Sequence, residues 1–265
     1  MKSLADDFFA RHPELTLAAL GADANRHVLD LSPFGQTVRY HAAEKNPHLV
    51  ELYRAANLYS FPGELALPGW VLSDLYLLPG VIGLLTCSAR ELKPALRKRL
   101  SLSSEDEAIA AAYVAAPSIV PRLGIGVSLI SLIPAIHAGT WVKALTMKMM
   151  RLERLRGVAQ WANPAVRVHT RMGPLRVVGS VPGTHEFRSR SFVYESDLQD
   201  EASWEEAMAR KTQLAPTRKI PSTDLEALGA LLDRAESGER ILVVPPGLDA
   251  SNNVLVREEA SREAS

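Results

Sequence analysis

Apolar and polar positions along this chain follow two rhythms, and the switch between them marks the expected helices and strands. Leu49, Leu52, Tyr53 and Ala56 recur at i, i+3, i+4 and i+7 and predict a helix over 47–56, with a shorter one over 4–9. Pro62, Gly63, Pro68 and Gly69 mark 57–68 as a loop. Apolar runs at 70–78 and 81–87 flank Pro79 and Gly80, the pattern of a hairpin. A basic helix is expected over 91–100, then a loop at Ser103, Ser104 and Glu105. Strands are predicted at 109–115 and 125–133, the second ending at Pro134.

After a loop at 135–140, a helix is expected over 141–156. Leu145, Met149 and Leu152 lie on its apolar side, Lys143, Lys148, Arg151 and Glu153 form its polar side, and Gly157 is its stop. A short strand at 158–161 precedes Asn163 and Pro164, an N-cap and first helical residue for a helix running to Met172. Gly173 and Pro174 stop that helix, and strands at 175–181 and 192–196 form a hairpin. In the tail, 201–213 is a charged helix or linker. Thr223 and Glu226 have capping-box spacing ahead of a face made by Leu225, Leu228, Leu231 and Leu232. A strand pair at 241–244 and 254–256 follows, and 257–265 is expected to fray. No internal repeat is visible.

Composition narrows the function classes. The chain has 265 residues, 47% hydrophobic and 23% charged, which predicts a folded core. Thirty basic residues balance thirty acidic ones, so no net field gathers nucleic acid, and nucleic acid is not an expected partner. Cys87 is the single cysteine, which excludes an intrachain disulfide and fits a cytoplasmic location. Asp6 and Asp7 occupy the place of a signal peptide's apolar core. The apolar stretches 70–87 and 109–136 are broken by Asp74, Pro79, Pro117, Pro121, Arg122 and Pro134, so no transmembrane segment is expected, while peripheral membrane contact stays open.

The order strand, turn, helix, strand, Asn-led helix, Gly, hairpin resembles the second half of the GCN5-related N-acetyltransferase (GNAT) fold. The matching stretches are SLISLIPAIHAGTWVKALTMKMM and VAQWANPAVRVHTRMGPLRVVG. The resemblance implies an α/β (α+β) fold with a mixed, mostly antiparallel sheet flanked by helices. It implies a core at 61–200, an N-terminal helical extension at 1–60 and a C-terminal helix and strand extension at 201–265. Those extensions would cover the substrate, form a homodimer contact or complete the sheet.

By resemblance the activity is acyl transfer from a coenzyme A thioester, acetyl-CoA or a longer acyl-CoA, to a small-molecule amine or carrier-bound substrate. The physical basis is a helix start that offers unpaired N–H groups and a positive dipole end to a pyrophosphate. Ile133, His137, Ala138, Gly139, Thr140, Trp141 and Val142 are the corresponding turn, and Asn163 is either a cofactor-contacting amide or only a cap. His169 falls where family members carry a tyrosine that protonates the leaving thiolate. It is either that proton donor or a helix-surface histidine. The turn is degenerate: it has one glycine, no arginine, and Trp141 where a small residue is usual.

Two other classes stay open. One is a GNAT-like thioester-binding protein with other chemistry, such as decarboxylation, or none. The other is a membrane-surface or protein-interaction module, suggested by the apolar content of 65–136. Asp74, Glu64 and Glu195 are interchangeable candidate bases, and His137 with His185 lacks a third metal ligand. Cys87 reads as a buried small hydrophobe.

Overall fold

The computed structural model describes residues 1–61, 66–68, 80–181, 190–197, 201–209 and 214–259. The chain divides into two compact units, Met1–Leu152 and Glu153–Ser265. Each is α+β, with a mostly antiparallel sheet and helices against it. The expected first arm of the 70–87 hairpin lies outside the described residues, as do Asp74, Glu64 and His185.

In the first unit, α1 (Lys2–Arg11) and α2 (Pro47–Ser60) match the helical spacing. The first sixty residues also hold two strands that the spacing did not predict, β1 (Thr16–Gly21) and β2 (Arg39–Ala42). They pair in parallel with each other, and β1 pairs antiparallel with β3 (Val81–Ser88). Then β4 (Glu107–Pro117) and β5 (Leu123–Ser131) extend the sheet antiparallel, giving the order β2-β1-β3-β4-β5. A short α3 (Pro94–Arg99) realises the basic helix.

The core explains why β3 and β4 read as unbroken apolar runs. Leu49, Tyr53 and Ala56 of α2 pack on one sheet face with Leu20, Ile82, Leu84, Ala112 and Val114. The other face is covered by α4 (Ala138–Met149). A sheet covered on both sides buries successive residues rather than alternate ones. Alanine is a poor strand former, yet five alanines of β4 are at most 1% exposed. Small side chains let the helix come close: a Cβ added to Gly83 would collide with Thr146 of α4.

The second unit starts where a helix was expected. The predicted helix over 141–156 ends instead at Met149, and Arg154–Gln160 is strand β6. Leu152 donates to the Met147 carbonyl at 3.1 Å and Arg151 to the Lys148 carbonyl at 2.9 Å, with Arg151 left-handed at φ 55. This is the helix stop that glycine usually makes, here made by arginine, so the sequence hides it. Gly157, expected as the stop, lies mid-strand opposite Tyr194, whose hydroxyl would be 2.6 Å from an added Cβ.

Asn163 does cap the next helix: its side chain accepts from the Ala165 N–H at 2.8 Å. That helix, α5 (Ala165–His169), runs into a 3₁₀ turn, Thr170–Met172, and Gly173 at φ 116 ends it. The hairpin strands are β7 (Leu175–Gly179) and β8 (Ser191–Asp197). After α6 (Glu201–Met208) come β9 (Arg218–Pro221), α7 (Leu225–Glu236), β10 (Arg240–Leu248) and β11 (Asn253–Glu259). Residues 257–259, expected to fray, are part of β11. The sheet order is β6-β8-β7-β10-β11-β9, antiparallel throughout. The cap of α7 is Asp224, which accepts from the Ala227 N–H at 3.0 Å.

Candidate functional site

The turn proposed from sequence sits between β5 and α4. Leu132 and Ile133 donate to the Ala110 carbonyl at 2.8 and 3.3 Å, tying the chain to β4 as it leaves the sheet. A 3₁₀ turn, Pro134–Ile136, leads to His137, exposed and left-handed at φ 57. The helix starts at Ala138, three residues before the expected Trp141. Thr140 and Trp141 donate to the His137 carbonyl at 3.0 and 3.3 Å, which leaves the Ala138 and Gly139 amides as the first pair at the helix start.

Tertiary packing takes up most of the side chains named here. Ala138, Gly139, Thr140, Trp141 and Val142 are all buried, and Ile133 is half-buried. The Trp141 ring stacks on Phe8 of α1 at 5.1 Å. A Cβ on Gly139 would come within 3.2 Å of Ser131, so this glycine lets α4 approach β5.

One turn further along, Lys143 corrects the amphipathic assignment. It was placed on the polar side, yet it is fully buried, with its ammonium 5.8 Å from the Tyr113 ring centroid. Burial pulls its pKa down to about 7. The face it occupies is covered by β4, which helical spacing cannot reveal.

In the second unit His169 is not a surface histidine. It is 6% exposed, and its ring lies 5.1 Å from that of Tyr194 on β8. Tyr194 is buried, which pushes its phenol well above the ordinary range. Asn163, seven residues beyond Arg156, is occupied as a cap through its carbonyl oxygen.

Glu195 is removed from the list of bases. It lies at the centre of three arginines: Arg156 donates to Oε2 at 2.9 Å, Arg176 donates to Oε1 at 2.9 Å, and Arg154 stands 3.9 Å from Oε1. Burial pushes the Glu195 carboxyl up, but the hydrogen bonds and charges of Arg156 and Arg176 together outweigh it and hold it below the usual range. A carboxylate held in this way is a weak proton acceptor. The sequence carried a signal for this cluster in the i, i+2 arginines 154 and 156, but a helical assignment put them on different faces.

Cys87 is buried as expected, and burial pushes its thiol up to about 12, which makes it inert as a nucleophile. Among the described residues no group of three His, Cys, Asp or Glu side chains is placed to hold a metal ion. Among the same residues no helix is long and apolar enough to cross a membrane. The chain matches no protein-family model and no curated protein.

Proposed function

We propose that the chain is an acyl-CoA-dependent N-acyltransferase of GNAT type. One observation carries the proposal: β5, a turn, α4, β6, an Asn-capped α5, Gly173 and the β7–β8 hairpin follow one another in the order on which the resemblance rests. The amine nitrogen attacks the thioester carbonyl carbon and gives up one proton, the C–S bond breaks, and the leaving sulfur takes up one proton. The start of α4 would hold the cofactor's pyrophosphate through the amides of Ala138 and Gly139, aided by the positive end of the helix. His169 keeps the proton-donor role that the resemblance gives it, with Tyr194 as its ring neighbour.

Calorimetric titration with acetyl-CoA and CoA tests this directly. Saturable binding of both is expected, and no heat at millimolar ligand overturns the proposal. The single glycine and buried Trp141 of the turn favour a second function, thioester binding without transfer to an amine. CoA binding combined with no thiol release across a panel of amines would select it.

A further inference from the structure

The face of the second unit's sheet that carries Arg156 and Arg176 holds a site that the proposed acyl transfer does not use. Arg154 and Arg156 share one face of β6, and Glu195 of β8 stands in register between Arg156 on one side and Arg176 of β7 on the other. Beside them the C-terminal end of α7 and the start of β10 wall off a cleft of about 590 Å³, within the range of small-molecule sites. Arg154 and Arg176 line this cleft, and Pro174, Val178, Ala235 and Leu242 give it an apolar floor.

The charges decide what fits. Glu195 is matched by Arg156, which hydrogen-bonds Oε2 from outside the cleft lining. Glu239 is held by Arg234 at 2.9 Å, and Arg240 by Glu259 at 2.9 Å. That leaves two guanidinium groups, Arg154 and Arg176, facing the cleft against one carboxylate, Asp197. Each guanidinium has five donors, and Arg176 spends one nitrogen on Glu195. Its side chain is 49% exposed and that of Arg154 is 38% exposed, and both line the cleft. Glu195 fixes the fork in place, which lowers the ordering cost of a bidentate contact.

We infer that the cleft between α7 and the β6-β8-β7 face binds a small organic anion, its phosphate or carboxylate held by Arg154 and Arg176 and its apolar part resting on Val178 and Leu242. This site lies wholly within the second unit and stands whether or not the chain binds a CoA thioester.

Calorimetry at low salt with phenyl phosphate, benzoate and inorganic phosphate tests it on the full chain. Phenyl phosphate or benzoate is expected to saturate and to bind more tightly than inorganic phosphate; whichever of the two is tighter identifies the anion. Arg154→Gln and Arg176→Gln should each bind about ten-fold more weakly, the loss of one charged hydrogen bond. Arg176→Lys keeps the charge without the fork and should bind with an intermediate loss. Arg54→Gln, on α2 of the first unit, should bind as the parent does. No saturation by any probe at millimolar concentration overturns the inference. So does equal binding by the parent and the Arg154 and Arg176 variants, or inorganic phosphate binding as tightly as the organic probes.

Discussion

In the first unit β3 and β4 are buried on both faces, while in the second β6 and β7 bury every other residue. The difference follows from what lies against each sheet. Helices α2 and α4 cover both sides of the first, so its strands need small apolar residues throughout. In the second, α5 packs against β10 and β6, and α7 packs against β7 and β10. Among the described residues, Arg154, Arg156 and Arg176 on one face of β6 and β7 keep 38%, 46% and 49% of their side chains exposed. A face that keeps this contact with water can carry the arginine cluster. Burial opposes the charge of both Lys143 and Glu195, and only at Glu195 do neighbouring charges outweigh it. Lys143 in the first unit is taken out of water beside an aromatic ring, whereas Glu195 in the second is surrounded by guanidinium groups.

The sharpest way to break this contrast is Lys143→Met. The folded-state pKa of Lys143 is about 7, below the roughly 10.4 of an unfolded lysine, so between these values the unfolded chain binds the extra proton. Stability should therefore rise from pH 7 towards pH 10, by up to about 1.4 kcal/mol per pH unit from this one group. Lys143→Met should remove that rise and be the more stable protein near pH 7. Urea denaturation at several pH values measures both, and a parent and variant with parallel pH profiles would refute the assignment.

Next in size are two close approaches, one in each unit. Gly83→Ala presses on Thr146 of α4, and Gly157→Ala presses on the Tyr194 ring. Each should cost about 2 kcal/mol in denaturant melts, as overpacking does. Adding Thr146→Ala should restore much of the first loss, because the colliding group is then gone. Gly157→Ala should resist rescue by Tyr194→Phe, since the ring itself lies 2.7 Å from the added carbon.

The smallest effect belongs to Glu195. Its pKa is depressed in the fold, so its stabilisation is complete above the ordinary glutamate value of roughly 4.3 and is lost as pH falls through the lower folded value. The arginines around it are partly exposed, which keeps the contribution under about 1 kcal/mol. Acid unfolding of Glu195→Gln should show a correspondingly shallower loss below pH 4.

Strands β4 and β5, helices α2 and α7, and the Asn163 cap were legible because each rests on local spacing or a single side-chain bond. The end of α4 was not legible. Arg151 adopts the left-handed turn that glycine usually marks, while Gly157 sits in a strand for the sake of Tyr194. Strands β1 and β2 were missed because each is short and finds its partner only through the sheet. For the candidate site, the turn from Ile133 to Val142 was found in sequence. That Trp141 is committed to Phe8 depends on a segment far away in the chain, and that Gly139 meets Ser131 depends on how the chain folds back from β5.

By itself the sequence determined that this chain folds, which segments alternate and which repeat with helical period, and where Asn163 starts a helix. Those are properties of neighbouring residues and of apolar content. Only the tertiary structure decided which faces are covered. That choice buries Lys143 and His169 and brings Arg154, Arg156 and Arg176 from two strands around one carboxylate on a third. Solvent exposure and cross-strand register join residues distant in the chain, and no local pattern encodes them.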